Sequence, residues 1–317
     1  MDAVVARAPG RVCLLGDNAD LVEKPALAAA ISAFLTVNLR KRPDSHVRLH
    51  GLDIAVEESF HLGEDVALDT PLKYVRAVYR RLARHIDTGF EAAIHSQIPI
   101  SAGLSSSTAL CIAAIQALNS AYHIGLGPAE IAELSYELER IDLDIECGRM
   151  DQYAIAFGGV TYIQTGSTPG VEKLEIESLP IVVADTEEKH DTQQLQKWLR
   201  QRIADKEAVL LGSLDRVVQI VDEGRQALLQ GDLKGLGALM SRQQEEENLM
   251  GTSTARLQAF CQAAREAGAW GAKQMGAGGG GCVIALCPPG SEPAVQSALR
   301  ALGAPAWAFE IYQSPIC

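Results

Sequence analysis

The sequence predicts an α+β protein of two domains, and three observations carry that expectation. The chain has 317 residues, enough for two domains of ordinary size. It is 47% hydrophobic and only 21% charged, the balance of a compact chain that buries most of its unfolded surface without disulfide or metal staples. Strand-like alternation, helical spacing and glycine turns recur with no fixed period, which argues against a solenoid and against an all-helical fold. The TGSTPG run at 165–170 is the plainest break in composition, so a boundary is expected there, dividing 1–168 from 169–317.

In chain order, Val4 to Ala8 reads as a strand entering the turn signal Pro9-Gly10, and Val12 to Leu15 as a second strand. Leu27 to Leu39 is apolar and β-branched enough for a buried strand, although its alanine run leaves a helix open. Val47 to His50 and Ile54 to Val56 alternate like strands. Tyr74 to His85 switches to helical spacing, with Val75, Val78, Tyr79 and Leu82 on one side and arginines elsewhere, most simply a solvated face. Gly89 to Ile98 reads as strand. The stretch from Thr108 to Gly125 is an almost wholly apolar helix, which must be buried on most sides. Helices follow at Pro128 to Arg140 and Met150 to Ala156, then a strand at Val160 to Ile163. The second half opens with strands at Val171 to Ile176 and Pro180 to Ala184. Two or three helices lie between Thr192 and Met240, and another spans Ser253 to Glu266. After Lys273 to Gly281, a strand at Cys282 to Cys287, a helix at Glu292 to Leu302 and a strand at Ala306 to Tyr312 close the chain.

Lys and Arg number 28 against 40 Asp and Glu, a net charge of -12. With no Lys/Arg-dense block, this balance argues against nucleic acid or an anionic membrane as partner, but local amides and one or two cations still suffice for a phosphorylated ligand. None of the seven cysteines forms a CxxC pair, and their apolar or glycine-rich settings suggest packed, reduced thiols. Without a signal-peptide pattern or an 18-residue apolar run, a cytoplasmic location is expected.

Four segments carry candidate chemistry. The first is Pro99-Ile100-Ser101-Ala102-Gly103-Leu104-Ser105-Ser106-Ser107-Thr108-Ala109, directly before the apolar helix. Its glycine, hydroxyls and helix-start amides suit a phosphate cradle, and Ser106 or Ser107 suits a hard cation holding phosphate oxygens. Serine-rich capping of the helix is the alternative reading. The Walker lysine is absent. The second is Gly276-Ala277-Gly278-Gly279-Gly280-Gly281, where backbone is expected to approach a ligand or another loop closely. Asp17-Asn18-Ala19-Asp20, the third, offers two short carboxylates for polyol hydroxyls or, equally, turn formation. The fourth is Cys147-Gly148-Arg149-Met150-Asp151-Gln152-Tyr153, in which Asp151 is either a helix cap or, if it meets Arg11 and the serine loop in space, a functional carboxylate. The histidines show no metal-ligand spacing, and GxSxG and Rossmann glycine patterns are missing, which leaves phosphoryl transfer ahead of hydrolysis or hydride transfer.

Taken together, Pro9 to Asp20, Pro99 to Ala109 and Lys273 to Cys282 resemble the three motifs of the galactokinase, homoserine kinase, mevalonate kinase and phosphomevalonate kinase (GHMP) superfamily, in order and over nearly the whole length. The resemblance implies an N-terminal domain like ribosomal protein S5 domain 2, a ferredoxin-like C-terminal domain, and ATP with magnesium in the cleft between them. It places the base or electrostatic aspartate on Asp151 and the motif-one arginine on Arg11. The metal-binding serine falls on Ser107, and the metal-binding glutamate on Glu139 or Glu137. Ser101 through Thr108 are expected around the ATP phosphates, with Gly278, Gly279 and Gly280 lining the cleft. The segment at 147–153 resembles the CGxMDQ segment of galactokinase-like sugar kinases, while Gly16-Asp17-Asn18-Ala19-Asp20-Leu21 departs from their GEHTDY. Asp17, Asn18 and Asp20 are therefore expected to bind substrate.

The expected activity is transfer of the γ-phosphoryl of ATP to the anomeric C1 hydroxyl of a monosaccharide other than galactose, of heptose, octose, uronic acid, arabinose or fucose type. A kinase of a non-sugar alcohol such as mevalonate or homoserine is the first alternative, and a non-catalytic sugar sensor the second. The partners are then ATP and a small acceptor, on a monomer or homodimer.

Overall fold

The N-terminal half is organised by two long strands, β1 (Ala3–Leu15) and β2 (Ala26–Lys41), paired antiparallel in a computed structural model that describes residues 3–99, 103–189 and 191–316. The turn expected at Pro9-Gly10 is not there. The strand runs through it with a register shift between Pro9 and Gly10. β1 pairs only with β2, so proline's missing N–H is tolerated on this edge, and the bulge absorbs the kink.

The sheet is completed by β3 (His46–Gly51), β4 (Val56–His61), β5 (Phe90–Ser96), β6 (Val160–Gln164) and β7 (Gly170–Leu174). Its seven strands run β4-β3-β5-β2-β6-β7, with β1 on the remaining edge of β2. β7 pairs with β6, so the composition break at 165–170 is a hairpin inside this sheet, and the chain leaves it after Leu174 rather than at 168. Along its inner edge β2 meets β6 at Ala26–Ala29 and β5 from Leu35 onward. The gap is filled from the far end of the chain: Ile311 bridges Ile31, Ser32 N donates to Glu310 O, and Tyr312 N donates to Ala30 O.

Four helices cover this sheet: α1 (Lys73–Leu82), α2 (Ser106–Tyr122), α3 (Pro128–Glu137) and α4 (Met150–Phe157). α2 is apolar nearly all round, and Ala109, Ile112, Ala113, Ile115 and Ala117 are fully buried against β1 and β2. α3 continues into a wider π turn over Leu138–Asp142, closed by Leu143 N donating to Leu138 O.

The second sheet, ordered β11-β8-β10-β9, is built from β8 (Ile181–Asp185), β9 (Gly271–Gln274), β10 (Cys282–Leu286) and β11 (Ala306–Phe309), all antiparallel. Alternation decides its two faces. Val182, Ala184, Val283 and Ala285 pack under α8 (Ala255–Glu266) and α9 (Glu292–Arg300). Ile181, Val183, Ile284 and Leu286 join the main core with α6 (Ala208–Leu229) and α7 (Leu233–Met250), the helices after α5 (Thr192–Ala204). α7 sits directly on β9: a Cβ on Gly271 would lie 1.7 Å from Gly237 O, so two glycines permit this approach. Among the described residues no helix is long and apolar enough to cross a membrane.

Candidate active site

A cavity of about 710 Å³ opens where β1, the start of α2, the start of α4 and the loops after β8 and β9 converge. Arg11 reaches it from β1, 5% exposed, and forms a two-pronged pair with Asp151: Nε to Oδ1 at 2.6 Å and Nη2 to Oδ2 at 2.8 Å. Its third prong, Nη1, donates to Gly103 O at 2.6 Å, and Arg11 N donates to Leu104 O. Burial opposes the guanidinium charge, but Asp151 more than offsets it, so the group titrates above its ordinary value. Ser105 Oγ donates to Asp151 Oδ2 at 2.5 Å. Both capping readings are thereby decided. Ser105 sits at the cap position of α2 and Asp151 in the first turn of α4, yet neither helix has a side-chain cap. The two side chains bond each other across the cavity instead.

Ser105, Ser106 and Ser107 line the cavity at the uncapped start of α2, while Ser101 and Ala102 lie outside the described residues. Thr108 turns inward, and its hydroxyl donates to both carboxylate oxygens of Glu139, at 3.2 and 3.0 Å. The π turn settles which glutamate faces α2. Glu137 bonds Arg81 at the surface, at 3.0 Å, whereas Glu139 is 3% exposed and also accepts from Gln152 Nε2 at 2.7 Å. Burial pushes Glu139 up to about 7, Gln152 opposes the shift, and Asp151 adds to it. Ser107 hydrogen-bonds the same carboxylate. No cation pairs with Glu139 among the described residues, and Gln152 Oε1 beside it is buried without a partner. A carboxylate and a hydroxyl are hard oxygen donors, and this pair fits magnesium. The described residues hold no group of three or more His, Cys, Asp or Glu able to bind a metal alone, so phosphate oxygens would have to complete the shell.

The first-motif residues are placed differently from the expectation. Asp17 is 1% exposed and spent: Oδ1 accepts from Gly276 N at 2.5 Å, and Oδ2 accepts from Gln243 Nε2 at 3.1 Å and from the wholly buried Lys273. Asn18 donates inward to Glu247 Oε2 at 3.1 Å. They form the cavity floor and join it to α7 and β9. Asp20 alone keeps a carboxylate with no hydrogen bond or ion pair among the described residues, packed so tightly on Gly148 that a Cβ there would lie 2.1 Å from Oδ2. Burial, then Asp151 and Asp17, raise Asp20 to about 7. The glycine loop is also corrected. Gly276 and Gly281 line the cavity, whereas Gly278, Gly279 and Gly280 do not: Gly278 and Gly279 are turned onto Thr252, with Gly279 N donating to Thr252 O at 2.7 Å.

Beyond Asp20 the wall is made by Cys147, Gly148, Lys189, and Thr192 and Gln196 of α5. The sequence reading missed Lys189, Thr192 and Gln196, and it missed Gln243 and Glu247 beneath the floor. The i, i+4 spacing of each helical pair is the signal that would have marked a polar stripe on one face.

The chain matches the family model described as the GHMP kinases N terminal domain over residues 73–159, and that described as GHMP kinases C terminal over residues 225–304. It is 31% identical over 316 residues to the mevalonate kinase of Thermococcus sibiricus, covering 95% of this chain and 93% of that protein. To the galactokinase of Pyrococcus furiosus it is 26% identical, covering 90% and 89%. The crystal structure of the Methanococcus jannaschii mevalonate kinase superposes with a TM-score of 0.85 at 23% identity, over 98% of both chains. These findings overturn the expectation of a sugar 1-kinase. Full-length similarity is stronger to mevalonate kinases than to that galactokinase. The pair of polyol-binding carboxylates on which the sugar reading leaned is not available either, because Asp17 is consumed inside the floor.

Proposed function

The chain belongs to the GHMP kinase family, and from that premise we propose that it transfers the γ-phosphoryl group of ATP to the alcohol of a mevalonate-type hydroxy acid. The observation that carries the chemistry is the junction of Arg11, Asp151 and Ser105 at the mouth of α2. The acceptor class rests on the mevalonate kinase relatives. Among the described residues the cations lining the cavity are Arg11, committed to Asp151, and Lys189, which stands beside Asp185, Glu187 and Glu188 and is the one placed to meet a substrate carboxylate. Asp20, raised to about 7 chiefly by burial, carries less charge toward such an anion than an ordinary carboxylate and retains hydrogen-bonding capacity for its hydroxyls.

In this reading the amides and serines at the start of α2 hold the polyphosphate, with the glycine loop at Gly276 and Gly281 on its other side. Asp151 holds the acceptor hydroxyl and takes or orients its proton. Arg11 fixes Asp151 in one orientation and offsets charge developing on the transferred group, so positioning and electrostatics provide the acceleration. Ser107 and Glu139 would hold magnesium, which when bound neutralises the phosphate charge. ADP release with mevalonate as acceptor, with phosphorus NMR locating the new phosphate on the primary alcohol, is the test. Turnover of a monosaccharide with none of mevalonate would overturn the proposal.

A further inference from the structure

The floor of the cavity is a polar network that the chemistry above does not use. Glu247, on α7, is 0% exposed and touches three segments at once. Its Oε2 accepts from Asn18 Nδ2 at 3.1 Å, in the loop after β1, and from Gln274 Nε2 at 3.3 Å, at the end of β9. Gln243 Nε2 reaches Oε1 at 3.3 Å. Thr252, just past α7, lies 2.5 Å from Oε2 through Oγ1, and its carbonyl accepts from Gly279 N at 2.7 Å. A Cβ on Gly278 would lie 2.2 Å from that same carbonyl. The glycine loop therefore rests on Thr252, and Thr252 rests on Glu247.

We propose that Glu247 is a positioning residue, holding the glycine-rich loop in its phosphate-facing place by tying Thr252 and Gln274 to Asn18 of the N-terminal loop. The inference rests on the kinase reading only for what the loop faces. Thr252 Oγ1 donates to Glu247, its one proton shared between Oε2 at 2.5 Å and the main-chain O at 3.0 Å. The charged groups facing Glu247 are Asp17 from the N-terminal loop and Lys273 from β9, and Lys273 is already held by Asp17. Burial, then Asp17, push Glu247 up to about 8, with Thr252 and Lys273 opposing. Above that pH a second negative charge competes for one buried ammonium, and the loop loses its support.

Hydrogen exchange of the unliganded chain, followed by mass spectrometry of a peptide spanning 275–281, tests this without any turnover. Glu247→Ala is expected to speed exchange in that peptide about tenfold at pH 7, the scale of one lost buried hydrogen bond. Glu247→Gln should stay within about twofold of the native chain and should lose the extra exchange that the native peptide gains above pH 8. In kinetics, Glu247→Ala raises KM for ATP while KM for the acceptor holds. Thr252→Val, a smaller change, reads the same link if Glu247→Ala does not fold, and should also speed exchange at 275–281. Equal loosening of a peptide from β5, an unchanged 275–281 peptide in the folded variants, or an alkaline limb that survives in Glu247→Gln would overturn the proposal. Absence of turnover in the native chain with every acceptor would count against the kinase reading alone, because the exchange result stands independently.

Discussion

Arg11 and Asp151 lie 140 positions apart, and their pairing shows what single residues can and cannot disclose. Their chemical types and the serine run were legible from motifs, because phosphate chemistry restricts which side chains are useful there, whereas the choice between Glu139 and Glu137 stayed open. Direction was not legible. Asp17 and Asn18 look like binding groups in the sequence, yet both point into the floor, since Lys273 is buried and must be neutralised. Asp151→Asn keeps the shape, removes the charge, and leaves one acceptor oxygen for Arg11 and Ser105. We expect kcat to fall by roughly 10²-fold or more, with KM for ATP changing much less. Melting should fall as well, because the buried Arg11 loses its counter-charge, whereas a lost helix cap would lower melting with turnover intact. Single-turnover kinetics and a thermal melt on the same variant check this, and near-native turnover in a folded protein would remove Asp151 from the chemistry.

At the scale of elements, long periodic segments were readable and short polar ones were not. α2 declares itself by length and an almost wholly apolar sequence, while β2 was legible as buried but its alanine run left a helix open. β9 reads Gly-Ala-Lys-Gln and shows no strand pattern, because its lysine and glutamine are buried by the floor network rather than by apolar packing. β1 was split in two at Pro9-Gly10, since a turn signal cannot tell an edge bulge from a reversal. The placement of α5 was equally hidden, as it depends on Glu146 in the loop before α4. Glu146 meets Arg140 at 3.1 Å and Arg200 of α5 at 2.5 Å, and its amide donates to Gln193 Oε1. Glu146→Ala leaves two arginines without their shared anion, so α5 should withdraw from the wall formed by Thr192 and Gln196. The expected outcome is an acceptor KM raised about fivefold or more with kcat nearly unchanged, because Arg11 and Asp151 are untouched. An unchanged acceptor KM would show that α5 does not shape this pocket.

Besides the shared apolar core, two long-range ties join the second half of the chain to β1 and β2. The first is the terminal segment lying in the gap along β2, where Ile311 is buried and Phe34 meets Tyr312 edge-on at 5.0 Å. Ile311→Asp buries an unpaired charge there, and chemical denaturation should show a loss of about 2–4 kcal/mol. The second tie is the cavity floor, which closes Glu247 off from water and leaves Asp20 half-buried on the cavity wall. Asp20 titrates near 7 and Glu247 near 8, both raised chiefly by burial above the ordinary carboxylate range. A raised folded value means that the folded chain holds protons the unfolded chain has already released. Their stabilising contribution is therefore complete below the unfolded values near 4 and disappears as pH rises through 7 to 8. The nucleotide-free protein should melt at progressively lower temperature from pH 5.5 to pH 9, with most of the decline complete by about pH 8. Asp20→Asn and Glu247→Gln, which have no proton to lose, should each flatten that slope, and together flatten it further. Melting curves collected across the pH range on the native chain and the two variants decide the matter, and a native melting temperature that rises over this interval would show that the floor carboxyls are ionised in the fold.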